Sequence, residues 1–215
     1  MGAAGRPSRE PVPYAAAVLY QAAARLLAYP DAELAGGLPL VGDALRSLGT
    51  QGAGVLLPLV EHLAAAEPAA AAEAYVGTFD FTSRHCLHLT WWTEGDTRRR
   101  GAALVRFKEH YRRYGLEPRG DDLPDFLPVV LEFCAETRTD TLLREHRPAL
   151  ELLRLALTEN GTPYARVLEA VCGTLPGASP ADRAQAMAMA RGGPPSEDVG
   201  LVPYGHLGLL PVLTE

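Results

Sequence analysis

Paired apolar residues recur every fourth position along 14–29: Val18 with Leu19, Ala22 with Ala23, Leu26 with Leu27. That period draws one apolar stripe down a helix and does not fit the alternation of a strand. Similar helical patterns return through most of the chain, and neither a strand pair nor an internal repeat is visible. Ala and Leu make up roughly a third of the residues and Ile is absent. Ala and Leu lose little on entering a helix, whereas β-branched residues favour sheets. The expected fold is all-α, a single bundle of about eight to ten short helices.

Residues 1–13, rich in Gly, Pro, Ser and Arg, are expected to form a disordered segment, 14–191 the helical domain, and 192–215 an extended tail. Helices are predicted over 14–29, briefly after Pro30-Asp31, near 42–48, over 55–67 and over 69–79. Gly36-Gly37 and Pro39 are read as breaks, and 49–54 as a loop. Residues 80–95, which hold both tryptophans, lack a clean period and read as irregular or short-helical. Asp96 is placed as N-cap of a helix over 97–114 ended by Gly115, with Ala103, Phe107, Tyr111 and Tyr114 on one aromatic face. Later helices are predicted to 136 from Pro124 or Pro128, then over 141–145, 148–158, 163–173 and 180–191. Leu127, Val130, Leu131 and Cys134 share a face of the first. Thr162 and Ser179 are placed as N-caps of the last two.

The chain has 20 basic and 26 acidic residues, a net charge of -6, which argues against a nucleic-acid footprint. Cys86, Cys134 and Cys172 are odd in number and far apart, which fits neither a disulfide framework nor a thiolate zinc site and suits a reducing cytoplasm. The apolar run at 14–29 is interrupted by Gln21 and Arg25 and falls short of the ~20 residues that span a bilayer, so no membrane insertion is expected.

Motifs for chemistry are sparse. His85-Cys86-Leu87-His88 could place two imidazoles on one ion, but no third and fourth ligand follows at a usual spacing, and no metal is assigned. Glu61-His62, Glu109-His110 and Glu145-His146 are adjacent pairs, which diverge by about 100° on a helix. Phosphate-cradling glycine loops and a nucleophile elbow are absent, so no catalytic residue is assigned. What stands out is the density of aromatics and charges between Tyr75 and Phe133. Arg98, Arg99 and Arg100 open a helix where its dipole disfavours cations. They call for carboxylates, which Asp80, Glu94, Asp96, Asp121, Asp122 or Asp125 would supply. Two readings stay open: an internal ion-pair network, or a groove of carboxylates beside aromatic and leucine side chains that takes an amphipathic basic peptide.

The combination of Tyr75, Phe79-Asp80, then Thr93-Glu94-Gly95-Asp96-Thr97-Arg98-Arg99-Arg100-Gly101, then Leu123-Pro124-Asp125 resembles the nitrate reductase molybdenum cofactor assembly chaperones. These are the NarJ-type delta subunits of respiratory nitrate reductase, within the TorD-like redox-enzyme maturation group. The resemblance covers about 14–173 and the Pro-Pro-Ser-Glu-Asp-Val-Gly-Leu stretch at 194–201. It implies a helical, cytoplasmic, non-enzymatic chaperone. Such a protein binds the N-terminal peptide of the apo α subunit and assists insertion of bis-molybdopterin guanine dinucleotide into that client, itself holding no cofactor stably. Molybdenum cofactor biosynthesis proteins are further candidate partners. The family motif usually reads Pro-Asp-His; here Phe126 follows Pro124-Asp125, and no role of that histidine carries over.

On this reading Tyr75, Phe79, Trp91, Trp92, Phe107 and Tyr111 are the expected apolar wall of the peptide site. Asp80, Glu94, Asp96 and Asp125 are its expected acidic lip, with Arg100, Pro124, Leu127 and Leu131 beside them. The alternatives are a chaperone for another molybdoenzyme, of oxide reductase or formate dehydrogenase type, and a nucleotide-binding helical protein.

Overall fold

Tyr14–Leu26 (α1) runs through the middle of the fold, burying Leu19, Tyr20, Ala23 and Leu26 on the stripe that its period predicts. The structure is a computed structural model and describes residues 11–191. Within them the chain forms eleven α-helices and one 3-10 turn, and its only β-type pairing is an isolated bridge between His88 and Phe126. The expected segments 1–13 and 192–215 lie largely outside the described residues. Of the first, Val12 is buried and its amide donates to the Arg138 carbonyl at 2.8 Å.

Two predicted breaks are continuous helix. Ala32–Leu48 (α2) runs through Gly36, Gly37 and Pro39. An internal proline costs about 3 kcal/mol. Burying Leu34, Leu38 and Leu45 on one face returns about 1.5–3 kcal/mol each, so burial wins. Asp31 caps the start by accepting from the Leu34 amide at 2.9 Å, and Gly49 ends it at φ 59°. Gln51–Ala65 (α3) begins inside the expected loop because Thr50 caps it, accepting from the Ala53 amide. Gly52 lets α3 approach α1 closely, since a Cβ there would stand 2.7 Å from Leu19 Cδ1.

Pro68–Phe79 (α4) is tied to the end of α1 by the Tyr75 hydroxyl, which donates to the Leu27 carbonyl at 2.9 Å. The irregular stretch resolves into the turn Ser83–His85 and the short helix Leu89–Glu94 (α5). Arg98–Arg113 (α6) follows; its N-cap is Thr97 rather than Asp96, and its C-cap Tyr114 rather than Gly115. Leu127–Thr137 (α7) packs along α1, and Thr141–Glu145 (α8) packs on α7. Arg147–Asn160 (α9), Ala165–Gly173 (α10) and Arg183–Arg191 (α11) complete the order, α10 lying against α3 and α9, and α11 against α9.

The expected N-caps of the last two helices are not used. Tyr164 stands at the start of α10. Asp182 accepts from the Gln185 amide at 2.8 Å at the start of α11, while Ser179 donates to Glu151. Glu151 is fully buried between Arg147 and Arg154, and those arginines also donate to carbonyls of Pro176, Gly177, Ala178 and Pro180. This buried ion network fixes 176–180 against α9.

Candidate functional site

Most of the expected apolar wall is core. Tyr75, Phe79, Phe107 and Tyr111 are buried, and Leu127 and Leu131 are fully so, because each lies on the face its helix turns inward. The rings form two clusters. Tyr75 and Phe79 (centroids 4.7 Å apart) pack with Tyr29 and Tyr164, whereas Phe107 and Tyr111 pack with Phe133 and His146. No ring contact joins the two clusters among the described residues. Burial raises the hydroxyl pKa of Tyr75 and Tyr111 well above the ordinary value. Trp91 and Trp92 are half-buried, and the Trp92 indole donates to the Cys86 carbonyl.

The expected lip also divides. Asp125 is fully buried. It accepts from the Thr90 amide at 3.1 Å, from the Thr90 hydroxyl and from His88 Nδ1 at 3.0 Å. Burial pushes its carboxyl up, but hydrogen bonds from His88 and Thr90 outweigh this and hold it below the ordinary value. Arg100 donates to the Thr90 hydroxyl oxygen at 3.2 Å, and Tyr111 to the Pro124 carbonyl. Arg100, Tyr111, Pro124 and Asp125 are therefore brought together, as a structural knot joining α5, α6 and α7. Glu94 is partly covered, 3.9 Å from Arg106; Asp80 and Asp96 are exposed. Arg98 and Arg99 are exposed and make no ion pair among the described residues, so of the three arginines only Arg100 joins an internal network.

His85 and His88 face different partners, His85 Nδ1 lying 2.8 Å from the Thr78 carbonyl. No group of three or more His, Cys, Asp or Glu side chains among the described residues could hold a metal ion.

A cleft with an apolar floor and an acidic rim does exist, one helix face away from the expected one. It is about 530 Å³, bounded by Gln21 of α1, the outward face of α7 and the loop 116–122. That size lies within the range of ligand pockets. Tyr111, Leu116, Val129 and Phe133 line its floor; Glu117, Asp122, Glu132 and Glu136 stand against one cation, Arg119. Arg112 pairs with Glu117 from outside at 2.8 Å.

Of the expected residues only Tyr111 lines this cleft. The other lining residues of α7 form a pattern visible in the sequence. Val129, Glu132, Phe133 and Glu136 recur at helical spacing on the face opposite Leu127 and Leu131. A second cleft of about 620 Å³ opens between α1, α3 and α10, but it sets only Glu169 against Arg154, which is already bound to Glu151. No helix among the described residues is long and apolar enough to cross a membrane.

Comparison with known proteins places these features. Residues 46–169, which include most of the acidic cleft, match the nitrate reductase delta subunit family. The chain is 40% identical over 160 residues to the nitrate reductase-like protein NarX of Mycobacterium tuberculosis, covering 73% of this chain and 24% of that one. It thus spans about a quarter of NarX. It is 31% identical over 162 residues to a protein of Bacillus subtilis that carries the name "Probable nitrate reductase molybdenum cofactor assembly chaperone NarJ", covering 74% and 88% respectively. The fold is similar to the crystal structure of a protein from Archaeoglobus fulgidus titled for redox enzyme maturation. That match has a TM-score of 0.56 at 20% identity and covers 78% of this chain and 96% of that one.

Proposed function

This chain belongs to the nitrate reductase delta subunit family, and from that premise we propose that it is a maturation chaperone for the molybdenum-containing catalytic subunit of a nitrate reductase. It binds the basic N-terminal peptide of the apo subunit in the cleft between α1, α7 and 116–122. It keeps the client open while bis-molybdopterin guanine dinucleotide is inserted, and then lets go. No bond is made or broken by the chaperone, and the cofactor is cargo of the client.

The observation that carries this reading is the pairing of an apolar floor with four carboxylates and one guanidinium in a single open cleft. Magnitudes assign the roles. Micromolar binding needs about -8 kcal/mol. Exposed ion pairs supply about 0.2–1 kcal/mol each, so four cannot reach it. Burial of the leader's apolar side chains on Leu116 and Val129 adds to them. The carboxylates select a cationic leader and raise its on-rate.

Calorimetric titration of synthetic leaders tests the proposal. A nitrate reductase leader is expected to bind with micromolar or tighter affinity. Changing Glu132→Lys and Glu136→Lys together is expected to weaken it at least tenfold. Binding of an oxide reductase or formate dehydrogenase leader, with none of the nitrate reductase one, would reassign the client.

A further inference from the structure

In a chain of net charge -6, α6 carries seven basic side chains on 16 residues, with Glu109 its only carboxylate. Its inward face is closed by Ala103, Phe107 and Tyr111. Its outward side presents Arg98, Gly101, Val105, Lys108 and Arg112, spaced alternately by three and four residues, so that they form one exposed ridge. Val105 is 53% exposed at the middle of the ridge, and at Gly101 a Cβ would meet nothing within 4 Å, which leaves a notch beside it. Arg98 and Lys108 make no ion pair among the described residues. The ridge also leads directly to the cleft, because Lys108 and Arg112 border a depression of about 140 Å³ with Glu117, Pro118, Gly120 and Asp122 of the loop that walls it.

We propose that this ridge is a second docking surface for the client that occupies the cleft, and that it takes an acidic stretch of polypeptide carrying an apolar residue for Val105; this rests on the functional reading above. From Arg112 to Arg98 the ridge is about 21 Å long by helical rise, the reach of about six extended residues. Charge fixes the direction of binding. An acidic stretch is repelled by Glu117, Asp122, Glu132 and Glu136 and attracted by Arg98 and Lys108, while the basic leader experiences the reverse. A client with both segments therefore lies in one orientation, its cationic part over α7 and its anionic part over α6.

The test uses the full chain, amide chemical-shift mapping and three probes: the nitrate reductase leader, an acidic octapeptide of Asp and Glu with two Leu, and an eight-residue oligothymidylate. The octapeptide is expected to shift Gly101, Val105 and Lys108 and to leave Val129 and Glu132 in place. The double variant Arg98→Glu, Val105→Asp, on the part of the ridge away from the cleft, is expected to weaken the octapeptide at least tenfold while keeping leader affinity within twofold. Octapeptide shifts absent from α6, affinity unchanged in the variant, or equal binding of the oligonucleotide at the same amides would each overturn the ridge as a protein-docking surface. Leader binding lost from the cleft with octapeptide binding intact on α6 would count against the functional reading and leave the ridge standing.

Discussion

The Tyr111 hydroxyl donates to the Pro124 carbonyl across 2.5 Å, in a buried position between the acidic cleft and the Asp125 knot. The ring packs against Phe107 and Phe133, and its oxygen holds the loop that leads into α7. Tyr111→Phe keeps the ring and strands a buried carbonyl, at a cost of about 1–3 kcal/mol. For a chain of this size each kcal/mol lowers Tm by about 2–4 °C. Thermal unfolding should show that loss with helix content unchanged; an unaltered Tm would mean that the bond contributes nothing.

Glu151 is buried between two guanidiniums, so its removal leaves uncompensated charge. Glu151→Ala is expected to cost about 3–5 kcal/mol, and to speed amide exchange over 176–180 and α11. Exchange that rises uniformly over the whole chain would show that the network is not local to that segment.

Asp125 carries an acid-dependent part of the stability. Its folded pKa is held below the ordinary value. The contribution is therefore present above the unfolded value of about 3.9 and is lost as pH falls through the folded one. Denaturant titration of Asp125→Asn should show a shallower decline below pH 4 than the parent chain. Parallel declines would remove Asp125 from the account.

His146 acts in a different window. Burial drives its pKa down to about 4, with Asp125 opposing and Arg106 reinforcing the shift. The imidazole stacks on Phe107 at 4.8 Å and its Nδ1 is buried without a hydrogen-bond partner. The unfolded chain takes up this proton near pH 6.5 and the folded one near 4, so acidification through that interval favours unfolding. By pH 5 the loss is about 2 kcal/mol. His146→Phe, which preserves the stack, should flatten the stability profile between pH 7 and 5. A profile as steep as the parent's would assign the slope to other groups.

The helical class, the position of α1, and the short helix at 141–145 were legible because local period and caps agree with the final packing. The breaks placed at Gly36-Gly37, Pro39 and 49–54 were not, because burial of Leu34, Leu38, Leu45, Ala53 and Leu56 overrides local propensity. The side chains named for the peptide site divide in the structure between buried core and exposed surface. Aromatic density at 75–133 reads equally as groove or as core, and the structure assigns most of it to core. The acids that rim the cleft stand on the outward side of α7, beside Val129 and Phe133. Their spacing is visible in the sequence, but its meaning depends on where the loop 116–122 closes, which no local pattern records. Asp125 reads as a surface acid until Thr90 and His88 are seen to enclose it.

Photocross-linking of the bound nitrate reductase leader tests most directly where the client lies. A benzoylphenylalanine placed at Val129, on the cleft floor, should capture the peptide, and one placed at Val55, in the larger cleft between α1, α3 and α10, should not. Capture from Val55 with none from Val129 would contradict the assignment of the acidic cleft.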